Sequence, residues 1–182
     1  GGSQGGYPYD SLVYDGRGKL YGATLGYYTN LTDEGVLFCY EILTGKYTVL
    51  HDFSQVLGDG AKPNGSPALS ADGTTMYCLT HGSEVWSGPE YGTLFSMNTD
   101  GSHFRVLHTF SGGYAGDTPM RTPLLEGPVV WGTCAVGGAP QEPDDQELDA
   151  RGYGLIWRFD LAASPTAAEI EYFVAIRAAT GC

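Results

Sequence analysis

Residues 20–53 read LYGATLGYYTNLTDEGVLFCYEILTGKYTVLHDF, and the same skeleton returns at residues 76–110 as MYCLTHGSEVWSGPEYGTLFSMNTDGSHFRVLHTF. Both stretches pass from an aromatic segment through a polar loop to a glycine-led apolar run, a turn and a closing VLH-x-F segment. A third, looser version extends from residue 130 to about residue 176. The aromatic anchors of the three stretches are 56 and then 54 residues apart: Tyr21, Tyr77 and Trp131. A period held this closely indicates an internally repeated architecture.

The residue pattern within each copy predicts four short antiparallel strands. A brief first strand follows a proline-containing link, and the aromatic segment, the glycine-led run and the closing segment supply the other three. Residues 47–53 alternate with a period of two, which is typical of a strand and is expected to place Tyr47, Val49, His51 and Phe53 on one face. The Asp100-Gly101 pair is a hairpin-type turn signal between the last two strands of the second copy.

The repeated pattern resembles the Gloeo/Verruco (GloVer) repeat family. The resemblance is carried by LYGAT, GVLF, TG and VLHDF in the first copy and by MYCLT, GTLF, DG and VLHTF in the second. The third copy departs from it, since VVWGT replaces the opening, the loop before Gly154 is longer and VLH-x-F is lost. The resemblance implies a secreted or surface-exposed, propeller-like β-repeat protein, and it supplies no catalytic residues.

We therefore predict an all-β fold in one domain over residues 1–182, with three tandem repeats of about 55 residues. Each repeat is expected to be a four-stranded antiparallel, propeller-like blade, at about residues 7–53, 63–110 and 119–176. Three blades are fewer than the four to eight of a typical closed propeller, so a β-trefoil is the alternative. Residues 164–181 also carry helix signals, but the repeat register favours a strand at residues 170–176.

The charge of the chain argues against two classes of partner, nucleic acid and anionic lipid. The net charge is −12 with nine Lys and Arg residues, which form no cluster. Phosphate affinity comes mainly from cationic contacts, so binding to nucleic acid or anionic lipid is not expected. No apolar run approaches the roughly 20 residues that a membrane-spanning helix needs, so no membrane insertion is expected.

The candidate modification and binding residues lie mainly in loops. Asn30-Leu31-Thr32 is an N-glycosylation sequon. Trp86 and Tyr91 are loop aromatics that can stack on a sugar ring or cover the end of the core. Four cysteines without a CxxC pair allow two disulfides, or else buried free thiols: Cys39, Cys78, Cys134 and Cys182. Residues 135–151 form an acidic insertion that is expected to be a solvated loop.

Catalytic and cofactor motifs are missing from the sequence: there is no Gly-x-Ser-x-Gly elbow, His-Glu-x-x-His pair or phosphate-binding loop. His51 and His108 share one position in the repeat, which favours a packing role. The leading hypothesis is a non-enzymatic, cofactor-free extracellular or cell-surface structural or adhesive protein that self-associates as a homo-oligomer or fibre. The alternative is a lectin-like module that binds glycans through loop aromatics and acidic loops. A propeller-type hydrolase or lyase ranks third.

Overall fold

The protein is all-β and is built from three separate four-stranded antiparallel sheets. The structure, a computed structural model, describes residues 5–26, 34–53, 58–82, 91–138, 154–163 and 171–175. In each sheet the four strands are hydrogen-bonded in the order in which they occur in the chain. Within the described part of the chain, no helix is long and apolar enough to cross a membrane.

The twelve strands are distributed evenly over the three sheets. The first sheet contains β1 (Val13–Tyr14), β2 (Lys19–Thr24), β3 (Val36–Glu41) and β4 (Lys46–Asp52). The second contains β5 (Ala68–Leu69), β6 (Thr75–Thr80), β7 (Thr93–Asn98) and β8 (Arg105–Thr109). The third contains β9 (Asp117–Glu126), β10 (Val129–Val136), β11 (Leu155–Asp160) and β12 (Glu171–Ala175). A short 3-10 helix, Gly113–Ala115, precedes β9.

This topology confirms the predicted all-β class and the four-stranded antiparallel sheets. The β-trefoil alternative is wrong, because the described strands form three independent ladders and no strand is shared between two sheets. The strand at Glu171–Ala175 pairs with β11, so the repeat register was the better guide than the helix signals there. The neighbouring strand supplies hydrogen bonds that local propensity cannot anticipate.

The second sheet lies between the other two and is buried on both faces. Met76, Cys78 and Phe95 face the first sheet in one hydrophobic cluster, which also contains Tyr21, Leu37, Cys39 and Phe53. Leu79 and Leu94 face the third sheet in another, which also contains Val130, Leu155, Trp157 and Phe159. Successive strand residues point to opposite faces, and every second residue of β6 accordingly enters the same cluster.

A bulge in the last strand of the first sheet corrects the predicted facing of its residues. Leu37 pairs with His51 while the next residue, Phe38, pairs with Val49, so the ladder skips Leu50. The extra residue reverses the alternation. Tyr47 therefore stacks on Phe38 on the face away from the second sheet, whereas His51 stacks on Phe104 of the second sheet. The second sheet has the matching irregularity at Leu94/Phe95, and the third has one that lies a residue earlier, at Leu155/Ile156.

Two glycines are required by close packing between strands. Gly92 precedes β7 with a φ of 94°, and a Cβ built there would lie 2.3 Å from the carbonyl oxygen of Thr80. Gly132 in β10 lies under the indole of Trp157, whose nearest ring carbon would be 2.2 Å from an added Cβ. Glycine permits both approaches because it has no side chain.

Candidate functional site

Several of the predicted site residues lie outside the described part of the chain: Asn30, Trp86, Cys182 and the acidic residues of the insertion from residue 139 onward. Tyr91 is described and is about one-third exposed. Its ring lies against Gly112, where an added Cβ would come within 2.8 Å of the ring. Tyr91 therefore packs on the link after β8, as the packing interpretation of this aromatic predicts.

The other three cysteines are buried free thiols. No disulfide joins these three cysteines, which lie in three different sheets: Cys39 in β3, Cys78 in β6 and Cys134 in β10. A bond to Cys182 lies outside the described residues, so that part of the expectation stays a prediction. Burial raises the pKa of all three thiols, and that of Cys134 to about 12. The thiolate is the reactive form, so these cysteines act as small apolar core residues.

The two repeated histidines occupy similar positions with different partners. His51 Nε2 lies 2.6 Å from the carboxylate of Asp59, and its ring stacks on Phe104 at 4.1 Å between centroids. His108 makes an edge contact with Phe110, and its Nε2 is buried without a hydrogen-bond partner among the described residues. Both rings take part in packing between or within sheets.

His108 makes the fold sensitive to mild acid. Burial lowers the pKa of its imidazole below the ordinary value of 6.5. The unfolded chain therefore binds a proton more readily than the folded chain, and stability falls as the pH drops below about 6.5 toward the lowered folded pKa. We expect His108→Phe to flatten the dependence of the free energy of unfolding on pH between about 7 and 5, measured by urea denaturation. The exposed His103→Gln variant serves as the control, and equal pH dependence in all three proteins would contradict this role.

The outer face of the first sheet, which points away from the second sheet, is apolar and partly exposed. It is formed by Leu12, Tyr14, Leu20, Phe38, Tyr40 and Tyr47. Leu12 is 51% exposed, Tyr14 55% and Tyr40 38%. Three of these residues form one row across the sheet, because Tyr14 pairs with Leu20 and Leu20 pairs with Tyr40.

The same row is covered in the other two sheets, where its residues on the two central strands are buried and its residue on the first strand is partly buried. In the second sheet it consists of Leu69, Met76 and Met97, which pack against the first sheet. In the third it consists of Leu125, Val130 and Phe159, which pack against the second sheet. The outer face of the first sheet thus has the composition of a surface that elsewhere in this molecule is covered by a neighbouring sheet.

The outer face of the third sheet is partly exposed and combines apolar with polar residues. Leu124 pairs with Trp131, and Leu124 is 64% exposed. Ile156 is 40% exposed. Arg158 pairs with Trp131, and Thr133 pairs with Ile156, so these two polar residues lie on the same face. The three-sheet stack therefore ends in a partly exposed face on each side, apolar on the first sheet and mixed on the third.

A cleft of about 430 Å³ lies where the links that enter the three sheets come together. The residues that line it come from all three sheets and their links: Tyr7, Tyr9, Leu25, Lys62, Asn64, His81, Thr118, Met120, Arg121 and Ala135. The guanidinium carbon of Arg121 lies 5.7 Å from the centre of the Tyr9 ring. Asn64 is 7% exposed, and its side-chain amide donates to the sulfur of Met120 at 3.5 Å.

The backbone around this cleft is strained. Five described non-glycine residues have a positive φ, and four of them line the cleft: Tyr7, Lys62, Thr118 and Arg121. A left-handed conformation in such residues costs about 1–3 kcal/mol each and tends to occur at ligand sites. None of these four residues was predicted as a site residue from the sequence. Three of them come directly before a proline of a link, and this position is the sequence signal that could have marked them: Tyr7 before Pro8, Lys62 before Pro63 and Thr118 before Pro119.

A potential metal site is not evident in the described residues, which contain no group of three or more His, Cys, Asp or Glu side chains suited to hold an ion. Two carboxyl residues, Glu34 and Asp59, are buried among the described residues. Asp59 is paired with His51 and helps to join the first sheet to its link.

Comparison with known proteins indicates the fold of this chain and assigns it to no family. The chain matches no protein-family model, and no curated protein is significantly similar to it. Among solved structures, TolB from Acinetobacter baumannii has a TM-score of 0.52 and 12% identity, over 90% of this chain and 32% of that chain. A chain in a nidogen/laminin complex has a TM-score of 0.56 and 12% identity, over 91% of this chain and 48% of that chain.

Both similar structures are β-propeller proteins, so the fold of this chain is all-β and β-propeller-like. At 12% identity the likeness concerns the fold and carries no activity. The chain spans about a third of the TolB chain and about half of the other chain. The GloVer resemblance stays a prediction.

Proposed function

We propose that the three sheets are tandem repeats of one propeller-like blade and that the protein is a non-enzymatic structural or adhesive protein of the extracellular space or cell surface. Its copies self-associate in homo-oligomers or filaments through the outer faces of the first and third sheets. The observation that carries this proposal is the row Tyr14, Leu20 and Tyr40, which is apolar and partly exposed, whereas the matching rows pack against a neighbouring sheet.

Burial of apolar surface is the driving force that these faces offer. Each square ångström of apolar surface removed from water contributes roughly 25 cal/mol. Contiguous exposed apolar faces on soluble proteins commonly mark interaction sites. A second sheet laid on the outer face of the first would cover Leu12, Tyr14 and Tyr40 in the way the first sheet covers Leu69 and Met97 of the second.

The partner that best fits this face is the outer face of the third sheet of another copy. Inside the molecule, the row Leu69, Met76 and Met97 meets the opposite type of sheet face, which holds Tyr21 and Leu37. Trp131 and Ile156 occupy the positions of Tyr21 and Leu37 in the third sheet. Contact between copies is therefore head to tail, and such heterologous contacts close into rings or extend into filaments.

Charging the outer face of the first sheet tests the proposal. We expect the Tyr14→Lys, Tyr40→Lys double variant to weaken self-association by more than about a hundredfold, because two cations would be buried in an apolar interface. The measurement is sedimentation velocity over a concentration series. Both tyrosines are more than one-third exposed, so the folded monomer is expected to tolerate the changes.

The matched control is Leu43→Lys. Leu43 is 95% exposed in the turn between β3 and β4 and does not belong to the row Tyr14, Leu20 and Tyr40. Its replacement adds one exposed positive charge, against two in the double variant, so the association of this control is expected to equal that of the unmodified protein. A strictly monomeric unmodified protein at high concentration, or equal association of the double variant and the unmodified protein, would contradict the proposal.

A further inference from the structure

The cleft between the three links combines cationic and aromatic groups in a strongly acidic protein. The basic residues Arg121 and Lys62 line it together with Tyr7 and Tyr9. The whole chain carries 21 Asp and Glu residues, yet no carboxyl side chain is among the described residues that line the cleft. Two basic side chains at a cleft in a chain with a net charge of −12 indicate a preference for a negatively charged ligand.

Arg121 is the group best placed to hold that charge. Among the described residues it has no ion-pair partner, and its guanidinium carbon stands 5.7 Å from the centre of the Tyr9 ring. The planar guanidinium presents its donors as a fork that matches a carboxylate in a bidentate arrangement. Its backbone has a φ of 66°, a conformation that tertiary structure must enforce on an arginine. Arg121 is exposed, so its side chain is accessible to a ligand at the cleft.

The remaining lining suits the body of a polar ring. Tyr7 and Tyr9 are 55% and 64% exposed, so their rings are open to contact. Asn64 is nine-tenths buried and directs an amide at the cleft whose acceptor within the protein is the weakly accepting sulfur of Met120. Aromatic faces beside hydroxyl and amide groups are the combination that binds polyhydroxylated rings. A volume of about 430 Å³ lies within the usual range of ligand pockets.

We propose that this cleft binds a small acidic sugar, with the sugar carboxylate on Arg121, the ring against Tyr7 or Tyr9 and a hydroxyl group on Asn64. The site is independent of self-association, since none of these residues belongs to the outer face of the first sheet or of the third. A sugar acid fits this cleft better than a simple anion does, because the two exposed tyrosines can contact its ring and the buried amide can bind a hydroxyl group.

The test is a titration by isothermal calorimetry or protein-observed NMR with four probes: glucuronate, glucose, benzoate and inorganic phosphate. We expect glucuronate to bind with a dissociation constant in the millimolar range, and the other three to bind at least about tenfold more weakly. Arg121→Gln is expected to weaken glucuronate binding at least about tenfold, and Arg121→Lys by less, because lysine keeps the charge and loses the fork.

Arg105→Gln is the matched control, since Arg105 is an exposed arginine on β8 that does not line the cleft. It is expected to bind glucuronate like the unmodified protein. Circular dichroism spectra of all variants establish that they are folded. Equal binding of glucuronate and glucose, stronger binding of benzoate or phosphate, unchanged affinity in Arg121→Gln, or no binding of glucuronate at about 50 mM would each overturn the proposal.

Discussion

Replacement of Trp157 by alanine is expected to reduce the free energy of unfolding by about 3–5 kcal/mol, the cost usual for deleting a buried aromatic side chain. Trp157 is fully buried in β11, between the second and third sheets. It contacts Phe110 at 5.6 Å between ring centres and covers Gly132. Its removal would leave a cavity at the junction of two sheets, which the rigid strands on either side cannot fill.

Trp131→Ala is the matched control for this prediction. Trp131 is on the opposite face of the third sheet and is only partly buried. The same chemical change there is expected to cost less than about 2 kcal/mol, because little of the cavity penalty applies. Chemical denaturation followed by far-ultraviolet circular dichroism gives both values. Equal losses for the two variants would show that Trp157 does not join the sheets as described.

Gly92→Ala is expected to destabilise the protein by about 2–5 kcal/mol although it adds one methyl group. The φ of 94° at Gly92 is unfavourable for any residue with a Cβ, at a cost of about 1–2 kcal/mol. The added Cβ would also lie 2.3 Å from the carbonyl oxygen of Thr80 and 2.7 Å from the ring of Pro119. Neither group is a flexible side chain, so overpacking adds about 1–3 kcal/mol.

Gly16→Ala separates these two contributions. Gly16 has a φ of 75°, and a Cβ built there would meet nothing within 4 Å. Its substitution is therefore expected to cost the conformational part alone, about 1–2 kcal/mol. Urea denaturation of the two variants measures the difference. A Gly92→Ala variant no less stable than Gly16→Ala would contradict the close approach of β7 to Thr80 and Pro119.

The strands could be predicted from the sequence because the patterns that indicate them are local. Glycine-led apolar runs, hairpin turns and the VLH-x-F segments predicted the strands that begin near Gly35 and Gly92 and end near Phe53 and Phe110. Those features depend on neighbours within a few residues, where the period of two and the turn chemistry apply. The strand at Glu171–Ala175 is an exception, because its segment also carried helix signals and the strand was predicted from its register with the earlier copies.

Other features could not be predicted from the sequence, because they depend on contacts between distant segments of the chain. The bulge at Leu50 depends on how β4 pairs with β3, and it reverses the alternation of the residues before it. The simple alternation of Tyr47–Phe53 therefore predicted the wrong face for Tyr47. The cysteines were expected in a disulfide because their number is even, whereas three of them lie in different sheets. Tyr9 and Arg121 meet across 112 residues of sequence, and no short motif announces such a cleft.

Cross-linking can test directly whether the outer face of the first sheet contacts the outer face of the third sheet of another copy. Tyr14→Cys and Leu124→Cys would each be prepared with Cys182→Ser, since the three remaining cysteines are buried. A short bis-maleimide would then be added to each protein alone and to an equal mixture. We predict covalent dimers in the mixture and few in either protein alone. Efficient dimers of one protein alone, or none in the mixture, would contradict head-to-tail association.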